Sequence, residues 1–247
     1  MVFLIVNEIQ NKTTWISLPM NYLFSPPAPP TIAIHGTDTR FPVRRIFCVG
    51  RNYADHAIEM GGDPTREPPF FFSKPADAVV ESGTSIAYPS ATSNLHFEME
   101  LVVAINREGA AIPVEQAMDH VFGYACGIDL TRRDLQSAAK EKGRPWDAAK
   151  GFDQSAPCAP LVPLDDAGDI QNARMTLDVN GVRKQETVIR NMTWNIAEVI
   201  SHLSGLYHLM PGDLIYTGTP AGVGPLKKGD QLEGRIDGLP SLHLTIN

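Results

Sequence analysis

Residues 95–105 read LHFEMELVVAI. Phe97, Met99, Leu101, Val103 and Ile105 fall on one side of a period-two strand. His96, Glu98 and Glu100 fall on the other, followed there by Val102 and Ala104. The alternation predicts one continuous strand with an apolar face, and so a core built on sheets. Outward from it, residues 121–130 form a second apolar run, read as a strand ending at Asp129. Thr131 is then placed to start a helix, with Asp134 in the capping-box position and Gly143 at its end. Residues 45–50 (RIFCVG), 70–73 and 213–217 are further short strands bounded by turn residues. Asn180-Gly181 and Asp237-Gly238 mark hairpins. Between them, residues 193–203 read as an amphipathic helix closed by Gly205. Strands dominate and no regular alternation of strand and helix occurs. The fold class expected is α+β or mostly β, not a doubly wound sheet.

The chain of 247 residues has 43% hydrophobic and 20% charged residues, the balance of a globular protein with a full core. A formal net charge of -7 and the absence of any basic run exclude nucleic acid as a partner class. An acidic chain that takes an anionic substrate must gather its positive groups, or a metal, at one place. Cys48, Cys126 and Cys158 are widely spaced with no Cys-x-x-Cys pair, so they read as reduced, buried thiols of a cytoplasmic protein. Residues 2–6 are apolar but are followed at once by Asn7 and Glu8, too short for a membrane span and a poor signal peptide. Pro26, Pro27, Pro29 and Pro30 belong to an extended segment expected to be mobile, with Met20 a candidate start. The division expected is an extended N-terminal segment over 1–40 and a single catalytic domain over 41–247.

Glu98 and Glu100 are two carboxylates pointing the same way from a strand that should be buried. Two like charges there are poorly solvated unless a cation lies between them, and hard oxygens suit Mg²⁺, Ca²⁺ or Mn²⁺. The alternative is a strand with one polar, solvent-facing side. Asp129 ends the second strand, where ligands are often presented, or is a turn aspartate. Lys150 lies in WDAAKGFD, a mostly neutral stretch, and either faces a carboxylate or enolate or sits on the surface. His56 and Glu59 stand at i and i+3 of a short helix over 53–60 that stops at Gly61-Gly62. A carboxylate beside an imidazole suits a general base, but an exposed helix face fits as well.

Four stretches settle between these readings: CVGRNYADHAIEM (48–60), HFEMELVVAI (96–105), GYACGIDLTRRDLQ (123–136) and GDLIYTGTPAGVG (212–224). In this order and spacing they resemble the fumarylacetoacetate hydrolase family, in its small acylpyruvate hydrolase branch. The resemblance runs from about residue 41 to the C-terminus. It implies a mixed β-sandwich roll, usually assembled as a homodimer. It also implies a Mg²⁺ or Mn²⁺ ion held by Glu98, Glu100 and Asp129, with Lys150 beside it, Gln136 and Thr219 near the substrate, and His56 with Glu59 on the N-terminal helix. Residues 41–80 more narrowly resemble bacterial fumarylpyruvate hydrolases of gentisate breakdown. The activity implied is metal-dependent hydrolysis of a 3-acylpyruvate, foremost 3-fumarylpyruvate to fumarate and pyruvate. Its alternative is decarboxylation of a 2-oxo diacid such as oxaloacetate. Arg51, Lys74 and Arg133 are the candidates for the far carboxylate of such a small-molecule substrate, each equally readable as a structural ion-pair partner.

Overall fold

The strand Met99–Ile105 is buried along its whole length and lies in the middle of an eight-stranded mixed sheet. In a computed structural model of the chain, residues 3–5, 15–17, 21–55 and 67–247 are described. Across the sheet the order is Phe71–Lys74, Arg45–Val49, Asp213–Tyr216, Met99–Ile105, Val121–Ile128, Ala156–Cys158 and Val79–Glu81, with Val162–Pro163 also paired to Val121–Ile128. Arg45–Val49 runs parallel to Asp213–Tyr216, and Ala156–Cys158 parallel to Val79–Glu81; the other neighbours are antiparallel.

Alternation gives the central strand two apolar faces. Met99, Leu101, Val103 and Ile105 enter a large core shared with a second, five-stranded sheet. That sheet runs in the order Val182–Val188, Arg174–Val179, Gln231–Ile236, Leu242–Ile246 and Thr84–Ile86, and contributes Met175, Leu177, Leu232 and Leu244. Val102 and Ala104 face the other way, into a smaller core with Ile46, Cys48, Leu214 and Tyr216. Each such side chain taken wholly out of water stabilises the fold by about 1.5–3 kcal/mol for the larger aliphatics. The helix Ile196–Leu206 packs Ile196, Val199, Ile200 and Leu203 into the larger core. The architecture is α+β, a curled mixed sheet packed as a roll with few helices.

Some expectations shift. The predicted continuous strand over 95–105 breaks at Glu98. Leu95–Phe97 leaves the central sheet to pair with Thr131–Arg132 and Gly224–Pro225. Thr131 does not cap a helix: it sits in that short strand, and the helix is Arg133–Glu141 without a side-chain cap. Asp134 instead accepts from the Thr92 hydroxyl at 2.6 Å and from the Ser93 amide at 3.1 Å. The later helix starts at Asn195, which makes a reciprocal capping box with Glu198, and Gly205 lies inside it. The Asn180-Gly181 turn joins Arg174–Val179 to Val182–Val188 with both residues at positive φ, 52° and 74°.

Packing also begins before residue 41. Thr31–Ala33 pairs with Arg40–Pro42, and Ile32 is buried in the smaller core beside Phe41 and Val43. Phe3–Ile5 and Trp15–Ser17 pair as an antiparallel hairpin. Ala54 and Asp55 begin a helical turn, while His56, Glu59, Gly61 and Gly62 lie outside the described residues, as does Met20. Among the described residues, no helix is long and apolar enough to cross a membrane.

Candidate metal centre and cleft

Strand register brings the acidic residues together. Met99 faces Ile128 and Glu100 faces Gly127 in the antiparallel pair, so Asp129, one residue past its strand, lies beside Glu98. The Asp129 amide donates to the Glu98 carbonyl at 2.8 Å and fixes that approach. Glu98, Glu100 and Asp129 are 5%, 1% and 0% exposed. Each offers an oxygen, and these oxygens lie within 4.8 Å of one another. Three buried carboxylates at this spacing repel strongly unless positive charge is supplied.

Much of that charge comes from three buried cations. The Lys150 ammonium, on the short helix Asp147–Lys150, donates to Glu98 Oε2 at 2.7 Å, to Asp129 Oδ2 at 2.7 Å and to the Thr131 hydroxyl at 2.6 Å. Burial works against the charged lysine, but Asp129 and Glu98 outweigh it and hold its pKa above the ordinary value. The Arg133 guanidinium binds Glu98 Oε1 and also donates to Gln136 Oε1. Lys74 lies 2.8 Å from Asp129 Oδ1 while donating to the carbonyls of Leu130 and Lys150.

Two groups stay unsatisfied within this network. Asp129 Oδ1 is buried and receives no well-aligned hydrogen bond, since the Lys74 contact is close but off-axis. Among the described residues Glu100 meets no basic side chain directly; it accepts the Gly218 amide at 2.8 Å. Burial first, then the charges of Asp129 and Glu98, push the Glu100 carboxyl well above its usual range. An acceptor without a donor and a carboxylate without a counter-charge, among hard oxygen donors, fit a divalent cation such as Mg²⁺ or Mn²⁺. Glu98, Glu100 and Asp129 are the residues that would hold it.

The Gly218 amide reaches Glu100 because this residue adopts φ +98°, and a Cβ there would stand 2.7 Å from that of Asn52. Asn52 is fully buried and ties the loop down: its side chain donates to the carbonyls of Thr217 and Trp194 and accepts the Trp194 amide. Thr219, next along, is 2% exposed, and its hydroxyl accepts from Gln185 at 2.8 Å. Gln185 also accepts the Met99 amide at 2.9 Å and donates to the Pro220 carbonyl at 2.9 Å. It therefore clamps the 217–220 turn onto the strand that carries Glu100.

Above Glu98 and Lys150 opens a narrow cleft to solvent. Arg51, Arg133, Gln136 and Lys140 line it, with Phe72 and Trp146. The structure thus brings Glu98, Glu100, Asp129 and Lys150 into one cluster and places Gln136 and Arg51 on the adjoining cleft. Thr219 is not on that cleft and enters only through the turn that presents Gly218. Lys74 and Arg133 take the second of their two expected roles, that of ion-pair partners. Lys74 is 3% exposed, spent on Asp129 and backbone carbonyls, and cannot reach a far carboxylate. Arg133 is committed to Glu98 and Gln136. Asn52, Gln185 and Lys140 were missed. Lys140 had a signal, since it follows Arg133 and Gln136 at helical spacing; Gln185, in the polar strand VRKQETV, had none.

Comparison with known proteins bears on this site. The model of the fumarylacetoacetate hydrolase C-terminal region matches residues 45–247. A fumarylpyruvate hydrolase from Ralstonia sp is 45% identical over 184 residues, 74% of this chain and 95% of the relative. The mitochondrial oxaloacetate tautomerase of Mus musculus is 43% identical over 203 residues, 82% of this chain and 91% of the relative. Among solved structures, fumarylpyruvate hydrolase from Pseudomonas aeruginosa in complex with Mn²⁺ and pyruvate superposes with a TM-score of 0.89 at 53% identity, covering 92% of this chain and 99% of that one. With the family model spanning the central strand, the three carboxylates and Lys150, the chain belongs to the fumarylacetoacetate hydrolase family.

Proposed function

We propose that the protein is a divalent-metal-dependent hydrolase that cleaves the carbon–carbon bond of a 3-acylpyruvate, foremost 3-fumarylpyruvate, to give fumarate and pyruvate. The observation that carries the reading is the buried Glu98, Glu100 and Asp129 cluster with Lys150 against it, beneath a cleft lined by basic residues. The solved relative with Mn²⁺ and pyruvate supports the same assignment of ion and product. Bound by the three carboxylates, Mg²⁺ or Mn²⁺ supplies a Lewis acid for the 2-oxo group and its neighbouring carboxylate.

The side chains divide the remaining work. Lys150, held charged by Asp129 and Glu98, is a poor base and a good electrostatic partner for the enolate oxygen of departing pyruvate. Arg133 holds Glu98 and donates to the amide oxygen of Gln136, which lines the cleft. His56, oriented by Glu59, takes the proton from a water that attacks the distal carbonyl. That carbonyl carbon gains the new C–O bond, the bond to the methylene carbon breaks, and the electron pair leaves with pyruvate. The assembly is taken as a homodimer. The compartment is taken as the cytoplasm, in keeping with three buried cysteines that form no disulfide.

A second reading, decarboxylation of oxaloacetate, is favoured by a relative named as a mitochondrial oxaloacetate decarboxylase, from Dictyostelium discoideum, 41% identical over 197 residues. It uses the same cluster and needs no attacking water. The deciding experiment offers purified protein, with Mg²⁺ or Mn²⁺ and with a chelator, a panel of fumarylpyruvate, acetylpyruvate and oxaloacetate. Pyruvate release that is fastest from fumarylpyruvate and lost on chelation is expected. Turnover of oxaloacetate alone, or full activity without metal, overturns the reading.

A further inference from the structure

We propose that Arg51 and Lys140 form a carboxylate clamp at the outer end of the cleft, selecting 2-oxo acids whose second carboxylate stands about six bonds from the first. The proposal rests on reading the cleft as a 2-oxo acid site and adds to it the residues that measure substrate length.

The clamp is built from two separate segments of the chain. Arg51 follows the strand Arg45–Val49, and its guanidinium lies over the Phe70 ring, 6.0 Å from the centroid. Phe70 is in turn edge-on to Trp146 at 5.5 Å, and the Gly50 amide is bonded to the Phe70 carbonyl at 3.0 Å. The arginine thus projects from a braced aromatic shelf. Lys140 comes from the helix Arg133–Glu141, where Arg133, Gln136 and Lys140 at i, i+3 and i+7 share one face. All three line the cleft.

Charge bookkeeping singles out this pair among the basic residues around the site. Lys150, Lys74 and Arg133 are already bound to Glu98 or Asp129. Among the described residues, Arg51 and Lys140 take part in no ion pair. They repel each other instead: burial, then Arg51, then Arg133 lower the pKa of the Lys140 ammonium. Two cations that line one cleft and have no ion-pair partner among the described residues are complementary to an anion that enters from solution.

Distance then sets the class of anion. Seven residues of helix separate Arg133, at the carboxylate cluster, from Lys140, a rise of about 10 Å that the backward tilt of the lysine side chain shortens. A chain of six bonds spans roughly 7–8 Å between its terminal carbons, and the three bonds of oxaloacetate only about 4 Å. A seven-carbon 2-oxo diacid anchored by its 2-oxo end reaches Lys140 and Arg51; a four-carbon diacid does not.

The test uses two probes without the 4-oxo group that hydrolysis requires, 2-oxoheptanedioate and 2-oxoheptanoate, which differ only in the distal carboxylate. Their affinities for the Mn²⁺-loaded protein are measured by titration calorimetry. The wild type should favour the diacid by about tenfold or more, the worth of charge-assisted hydrogen bonds to one carboxylate. Lys140→Met and Arg51→Met should each cut that ratio several-fold, Lys140→Arg should retain most of it, and Lys142→Met, outside the cleft, should leave it unchanged. Equal binding of the two probes by the wild type, or an equal loss for both in Lys140→Met, overturns the clamp. Failure to hydrolyse any acylpyruvate would instead overturn the proposed reaction while leaving this ratio to be read.

Discussion

Replacing Lys150 by Met should destabilise the metal-free protein far more than the metal-loaded one. The Lys150 ammonium is 2.7 Å from Glu98 and 2.7 Å from Asp129, and all three side chains are buried. Three acids, Glu98, Glu100 and Asp129, stand against three cations, Lys74, Arg133 and Lys150. Met fills similar space but takes from Glu98 its lysine partner, leaves Asp129 with the off-axis Lys74 and leaves the Thr131 hydroxyl without the Lys150 donor. Removing one partner of a buried ion pair costs about 3–5 kcal/mol, because the charge left behind is uncompensated. For a chain of 247 residues each kcal/mol moves Tm by about 2–4 °C, so the loss is about 6–20 °C. Thermal melts in chelator and in saturating Mn²⁺ read the effect. A cation among the three carboxylates restores the missing charge, so Mn²⁺ should raise the Tm of the variant by more than that of the wild type. Turnover should stay depressed by a hundredfold or more, because the ion does not replace the ammonium at the developing enolate. Identical Tm for variant and wild type in chelator, or an equal Mn²⁺ shift for both, would refute the charge balance argued here.

Gln185→Ala should lower stability by about 1–3 kcal/mol, read from the urea midpoint, because it orphans the buried Met99 amide and frees the Thr219–Pro220 turn. Acylpyruvate kcat/KM should fall with it, as Gly218 loses its aim at Glu100; unchanged kcat/KM would leave Gln185 a purely structural clamp. His56→Ala should lose acylpyruvate hydrolysis by roughly a hundredfold, in line with removal of a general base, while decarboxylation of oxaloacetate falls much less and metal affinity holds. Hydrolysis at the wild-type rate would place the base elsewhere.

Much of the site could be read along the chain because buried carboxylates violate the rule that governs their neighbours. Glu98 and Glu100 interrupt an apolar strand, and that conflict is local, so residues 95–105 reveal it without any tertiary information. Asp129 is nearly as legible, since it ends the strand that pairs with the first and their register sets it beside Glu98. The break at Glu98 was not legible, because alternation continues unbroken through a residue where the chain changes sheets. Lys74 stayed ambiguous for a related reason. A lysine at the end of a strand looks like a side chain that reaches into a cleft, and only the packing of Phe71–Lys74 beside Arg45–Val49 turns it inward to Asp129. Arg133, Gln136 and Lys140 read locally as the wet side of a polar helix, the ordinary meaning of that spacing. What gives them chemistry is the strand end at Arg51 that lines the same cleft, a relation between segments some eighty residues apart. The acids therefore announce themselves through a local contradiction. The cations that answer them come from loop ends and helix faces that contradict nothing until the fold closes. For the same reason the buried centre can persist as a balanced ion cluster before a metal arrives, while Glu100, with no basic side chain of its own among the described residues, remains the place where a divalent ion gains most.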